Sequence, residues 1–145
     1  LFTRIVRILR FRKQCMEDNL LKSLWKHADR GGVLVAEITK WQSISYLQMR
    51  FLIWRLENQG WIEQADSQIL LTKEGKSRAA YILRLHRLWE AYLVFLGQGV
   101  EKVHRSAEEM EHIITPELEK ALADLLGDPK RDPHFQPIPS KEETL

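Results

Sequence analysis

The 145 residues include one cysteine, Cys15, so no disulfide can close within the chain and a thiolate zinc centre is excluded. Any metal chemistry must use oxygen and nitrogen ligands. No run of 18 apolar residues occurs, which removes a bilayer-spanning helix. No h-region with a small-residue cleavage site marks a signal peptide, so the expected location is the cytoplasm. Proline is nearly absent before the end: all but Pro116 falls in DPKRDPHFQPIPSKEETL, residues 128–145, expected as an extended arm or a disordered end. Acid is missing from the first fourteen residues, which carry Arg4, Arg7, Arg10, Arg12 and Lys13, whereas Glu101 to Asp124 is rich in Glu. A net charge of +2 hides that split.

The basic opening, LFTRIVRILRFRK, has two readings. Apolar residues mixed with regularly spaced arginines suit the point where a chain leaves a membrane on its cytoplasmic side, in which case the sequence is cut from something longer. The plainer reading is a basic amphipathic helix that touches phosphates or lies on the surface.

From Met16 to His27, the apolar residues Leu20, Leu21, Leu24 and Trp25 keep a helical period that DRGG, Asp29 to Gly32, ends. LVAEITKW (Leu34 to Trp41) reads as a short helix, QSIS as a turn and YLQMRFLIWRLENQG (Tyr46 to Gly60) as a longer helix stopped by glycine. Together they predict a helix-turn-helix. WIEQ and ILLT, separated by ADSQ, predict a β-hairpin wing with a four-residue loop. KEGKSRAAYILRLHRLWEAYLVFLG (Lys73 to Gly97) predicts a long helix too apolar for one solvated face, which wants a partner helix or a second subunit. A further helix is expected from about Lys102 to Ile114. The next opens on Thr115 as N-cap with Pro116 at its first position and closes at Gly127.

His104, Glu108, Glu111 and His112 fall, at about 100° per residue, within an arc of roughly 100° on one helix face. The arc lies beside the apolar stripe Val103, Ala107, Met110 and Ile114, so two imidazoles and two carboxylates border the core. Burying them there is costly unless a positive charge neutralises them, and a divalent cation does so most simply. His86 and Glu90, four apart on the preceding helix, have the spacing of two ligands to one ion, and Asp18 on the first helix can add an oxygen. Glu and His in helices are ordinarily solvated surface residues; six of them on two neighbouring helices shift the weight toward metal. Mixed imidazole and carboxylate ligation suits Fe²⁺ or Mn²⁺, with Zn²⁺ and Co²⁺ able to bind in vitro. An enzyme is not expected: HExxH, GxSxG and a phosphate-cradling glycine loop are absent. Glu109 with His112 gives only one of the two Glu-x-x-His steps of a ferritin-like di-iron site.

The order of parts, with LTKEG closing the wing, RLHRLWEAYL in the long helix, VHRSAEEMEHIITPELEKALADLLG and DPHFQPIP, resembles the diphtheria-toxin-repressor family of metal-dependent transcriptional repressors, including its manganese-regulator branch. The resemblance covers about Met16 to Pro139; the family's C-terminal SH3-like domain has no counterpart in it. It implies a mainly α fold: a winged helix-turn-helix with a small β-hairpin wing, plus a helical metal-binding and dimerisation domain. The corresponding division is residues 1–14 as a basic juxtamembrane-like or linker segment, 15–76 as the DNA-binding domain, 77–127 as the metal-binding and dimerisation domain and 128–145 as the Pro-rich tail. The resemblance also implies a primary metal site of Asp18, Glu108, Glu111 and His112, and a second site of His86, Glu90 and His104. Glu108 stands where the iron-responsive branch has cysteine, Leu21 replaces the manganese branch's second carboxylate on the first helix, and Phe135 stands where glycine is usual. Some bacteria, notably chlamydiae, carry such a module fused behind the permease of a metal ABC transporter, and LFTRIVRILRFRK looks like that junction. Both a released repressor and a domain tethered to an inner-membrane permease are compatible with it.

The implied function is metal-dependent repression: a homodimer binds double-stranded operator DNA when loaded with Fe²⁺ or Mn²⁺ and represses metal-uptake genes. Gln48, Arg50 and Arg55 are the polar residues of the candidate recognition helix, and Lys40, Ser43 and Ser45 are candidate phosphate contacts. The alternative is a cytoplasmic metal-sensing domain of an ABC metal permease that does not bind DNA.

Overall fold

A computed structural model of the chain describes residues 2–41 and 44–145, which form two compact units divided between Ala79 and Ala80. In the first unit, α1 spans Phe2–Lys26 without interruption. The basic stretch expected as a segment of its own is therefore the front of the helix whose later turns bury Leu20, Leu21 and Leu24. Neither proline nor glycine breaks it, and arginine is a good helix former. Ile5, Ile8, Leu9 and Phe11 stay exposed on its surface.

After a short 3₁₀ turn, β1 (Val33–Leu34) leads into α2 (Val35–Trp41). A capping box starts α3 (Tyr46–Asn58): the Gln48 N–H donates to Ser45 Oγ, and the Ser45 N–H donates to Gln48 Oε1 at 2.9 Å. Met49, Leu52, Ile53 and Leu56 line its buried face, the face that their period predicts. The wing consists of β2 (Ile62–Ala65) and β3 (Gln68–Leu71), and β1 adds a third strand that the sequence reading lacked. The antiparallel order is β1-β3-β2, with Ile69 opposite both Val33 and Gln64. Only Asp66 and Ser67 lie between β2 and β3, at φ 48° and 66°, so the expected four-residue loop is a two-residue turn. Positive φ at both positions matches the twist of a tight hairpin.

The LTKEG segment is explained by two contacts at the start of α4 (Lys73–Phe95). Thr72 Oγ1 accepts from the Gly75 N–H at 3.0 Å and donates to the Gly60 carbonyl at 2.6 Å. A Cβ on Gly75 would sit 1.8 Å from the Trp61 carbonyl oxygen, so only glycine fits.

The second unit consists of α4 from Ala80 onward, α5 (Val100–Met110), α6 (Pro116–Leu125) and the C-terminal arm. Thr115 caps α6 with Pro116 in its first turn, as its sequence predicts. Leu85, Ile114 and Leu122 cluster with Tyr81, Trp89 and Tyr92, while Leu88, Ala123 and Ile138 cluster with Leu126. Ile138 draws the arm into the core, which overturns the expectation of a disordered end. The buried Arg84 reinforces that anchor, donating to Glu119 Oε1 at 2.8 Å and to the Pro139 carbonyl at 3.0 Å. Arg87 donates to the Pro137 carbonyl. Because α5 ends at Met110, Glu111 and His112 lie in the turn that follows it, not within the helix expected to run to Ile114. No helix among the described residues is long and apolar enough to cross a membrane.

Candidate metal centre

His86 and Glu90 stand one turn apart on α4 and are both buried, Glu90 with 1% of its surface exposed. His104 reaches them from α5. His86 Nε2 lies 3.1 Å from Glu90 Oε1 and 3.1 Å from His104 Nδ1, and His104 Nδ1 lies 2.8 Å from the same carboxylate oxygen. One ligand atom from each of the three side chains fits within a 4.8 Å span. Two nitrogens and an oxygen converging so closely resemble the donor arrangement of a transition-metal site.

The cluster continues on the other side of His86, whose Nδ1 lies 2.5 Å from Glu111 Oε2. A carboxylate on the far nitrogen fixes the ring and directs its other nitrogen toward the cluster, the usual support of a metal-binding histidine. His112 Nε2 lies 3.6 Å from Glu111 Oε1, and Glu108 Oε1 lies 3.5 Å from His104 Nε2. The four residues expected on one helical arc are thus divided by their surroundings. His104 and Glu108, on α5, are half exposed; Glu111 and His112, in the following turn, have buried side chains. Glu111 keeps helical backbone geometry as the C-cap of α5, its N–H donating to the Ala107 carbonyl, and it stands on the side of the arc nearest the apolar stripe.

Burial favours the neutral form of the Glu90 carboxyl, but hydrogen bonds and charge from His86 and His104 outweigh it and hold the pKa down at about 2. Burial pulls the Arg87 guanidinium below its ordinary range, against the opposing charges of Asp132 and Glu90.

Asp18 belongs to the first unit, where its Oδ1 accepts from Arg78 Nη2 at 3.0 Å. Of the candidate DNA contacts, Lys40 and Arg50 are exposed, and Ser45 and Gln48 form the cap of α3. Ser43 lies outside the described residues. Arg55 is engaged elsewhere, its Nε donating to Glu17 Oε1 at 2.5 Å. The exposed side of α3 also presents Tyr46, Leu47, Phe51 and Trp54 to solvent.

One residue escaped the sequence reading. His134, in the arm, places its Nε2 3.8 Å from Glu90 Oε1. A signal was present: it is one of five histidines, and it sits in the DPHF step between two prolines, where a rigid turn is expected.

Residues 72–140 match the iron dependent repressor, metal binding and dimerisation domain. Over 133 residues the chain is 37% identical to a probable metal transport system membrane protein of Chlamydia trachomatis, covering 86% of this chain and 30% of that protein. It is 36% identical over 91 residues to the diphtheria toxin repressor of Corynebacterium glutamicum, covering 61% of this chain and 40% of the relative. The chain therefore spans less than half the length of these curated relatives. Among solved structures, a manganese-dependent transcriptional repressor in complex with manganese superposes with a TM-score of 0.79 at 30% identity, covering 87% of this chain and 59% of that one.

Proposed function

We propose that the chain, whose residues 72–140 match the iron dependent repressor, metal binding and dimerisation domain, is a metal-dependent transcriptional repressor. Loaded with Fe²⁺ or Mn²⁺, a cytoplasmic homodimer binds double-stranded operator DNA and represses metal-uptake genes. The observation that carries this reading is the convergence of His86, Glu90 and His104 within 4.8 Å, with Glu111 behind His86. Buried carboxylates converging with imidazole nitrogens fit a divalent cation well, and a donor set without thiolate favours Fe²⁺ or Mn²⁺. When bound, the ion would supply positive charge beside the buried Glu90 and Glu111 carboxylates.

In this proposal His86, Glu90 and His104 hold one ion, and Glu108, Glu111 and His112 contribute to another. Asp18 joins the second set on the resemblance alone. Lys40, Ser43, Ser45, Gln48 and Arg50 serve DNA, whereas the Arg55 contact with Glu17 supports a structural role for that residue. Metal acts as co-repressor to the extent that it binds the DNA-competent arrangement more tightly than any other.

The exposed Tyr46, Leu47, Phe51 and Trp54 of α3 favour a second reading, in which the unit senses metal for a permease and touches protein rather than DNA. The relative named as a membrane protein supports a link of this kind, including a covalent one. Fluorescence-anisotropy titration onto promoter DNA of the chain's own operon, with Mn²⁺, anaerobic Fe²⁺, Zn²⁺ or chelator, separates the two. Repression predicts tight binding only with metal, lost in a Glu108→Ala, His112→Ala variant. Metallated protein that binds no promoter DNA supports the permease reading.

A further inference from the structure

We propose that the front of α1 is a lipid-binding helix: its apolar side lies in the surface of an anionic bilayer, and the cations beside that side hold phospholipid phosphates.

At about 100° per residue, Ile5, Val6, Ile8 and Leu9 occupy an arc of about 160° on α1. That side is uncovered: Ile5 and Ile8 are each 47% exposed and Leu9 58%, while the same helix gives Leu20, Leu21 and Leu24 to the core. No acidic residue precedes Glu17 in the chain, and Arg4, Arg7, Arg10, Arg12 and Lys13 all do. Arg12 and Lys13 lie within about 60° of the middle of the apolar arc, one turn further on, Arg4 and Arg10 stand about 120° to either side, and Arg7 lies opposite. Long cationic side chains so placed run their methylenes along apolar surface and carry the charge to the headgroups.

Charge complementarity selects an anionic surface, and the apolar arc selects among anionic surfaces. Duplex phosphates would engage the cations and give Ile5, Ile8 and Leu9 nothing, whereas a bilayer has an apolar layer directly beneath its phosphates. The inner end of the helix continues both features. Lys13 Nζ stands 5.8 Å from the centre of the Phe51 ring, which packs against Trp54, and both aromatic residues are more than half exposed; tryptophan is favoured at the headgroup level. Arg10 and Lys13 also line a cleft of about 400 Å³ in which Arg55 and Arg78 accompany Glu17 and Asp18. Four cations against two carboxylates carry the positive excess from the helix into the body of the first unit.

The test is co-sedimentation of the full chain with vesicles of phosphatidylcholine alone and of phosphatidylcholine containing about one-third phosphatidylglycerol. Binding is expected to be about tenfold or more tighter on the anionic vesicles and to weaken as salt rises. Ile5→Ser combined with Leu9→Ser is expected to lower the partition coefficient about tenfold or more, and Arg12→Gln about fivefold, whereas Arg7→Gln, on the far side of the helix, should change it less. Thermal melts of these variants should match wild type, because the substituted residues are exposed. Folded wild-type protein that does not sediment with anionic vesicles overturns the proposal. So does binding that falls with Arg12→Gln and not with the Ile5→Ser, Leu9→Ser variant, the response of a polycation to any phosphate surface, a duplex included. If that double variant changes only the oligomeric state, the apolar side belongs to a second copy of the chain and the lipid assignment is overturned as well.

Discussion

His86 Nδ1 lies 2.5 Å from Glu111 Oε2, and both side chains are buried. With the Nδ1 proton assigned to that contact, Nε2 is the nitrogen left for an ion, and it lies 3.1 Å from both Glu90 Oε1 and His104 Nδ1. Glu111 thereby links His86 to His112, whose Nε2 lies 3.6 Å from its other oxygen.

Glu111 should therefore act on the His86 centre without ligating it there. In the Glu108→Ala, His112→Ala background, Glu111→Gln is expected to weaken metal binding about 10- to 100-fold by removing the carboxylate that orients His86 and raises its basicity. Isothermal titration with Mn²⁺ measures this. An unchanged affinity would contradict the role assigned to the contact.

The Glu90 carboxyl, held down at about 2, makes acid stability a second readout. A depressed carboxyl pKa contributes stability that is fully present above the unfolded value, about 4.3, and is lost as pH falls through the folded one. Urea unfolding of metal-free protein should show wild type losing more stability than Glu90→Gln between about pH 5 and pH 2. Parallel curves would refute the assignment.

Much of this architecture was legible in the sequence because its signals are local. Ser45 with Gln48 and Thr115 with Pro116 announce their helices, and Met49, Leu52, Ile53 and Leu56 keep the period of a buried face. What the sequence concealed depends on distance along the chain. Val33 and Leu34 form too short a strand to show alternation, and only pairing with Ile69 and Gln68 makes them one. The burial of Glu111 and His112 set them apart from the half-exposed His104 and Glu108, which periodicity had placed on one arc. His134 became visible only once Asp132 and Arg87 fixed the arm against α4.

Phe135 gives a prediction for the arm itself. It sits at φ 62°, a left-handed conformation that costs a non-glycine residue about 1–2 kcal/mol, and the residue is 77% exposed. Glycine relieves that strain and gives back about 0.5–1 kcal/mol through the freedom of the unfolded chain. Phe135→Gly should therefore stabilise the protein by about 0.5–1 kcal/mol in urea unfolding. Destabilisation would mean that the ring makes contacts in solution that outweigh the strain.

Arg50 and Arg55 should respond differently to alanine. The exposed Arg50, if it reads a base, costs about 1–3 kcal/mol of operator affinity with little change in stability. Arg55→Ala strands the buried Glu17 carboxylate and should lower stability by about 2 kcal/mol in urea unfolding. Lys40→Ala, the removal of a phosphate contact, should lower the slope of log affinity against log salt by about one. Anisotropy across a salt series distinguishes all three.

The central claim is that metal and DNA bind to coupled states of one molecule, and linkage makes that claim reciprocal. The most direct measurement is the Mn²⁺ binding isotherm of the wild-type chain with and without saturating operator duplex. Coupling predicts that DNA lowers the half-saturating Mn²⁺ concentration, within about 5- to 150-fold, by the factor by which Mn²⁺ tightens DNA binding. Superimposable isotherms, with operator DNA demonstrably bound, would contradict metal-dependent repression by this protein.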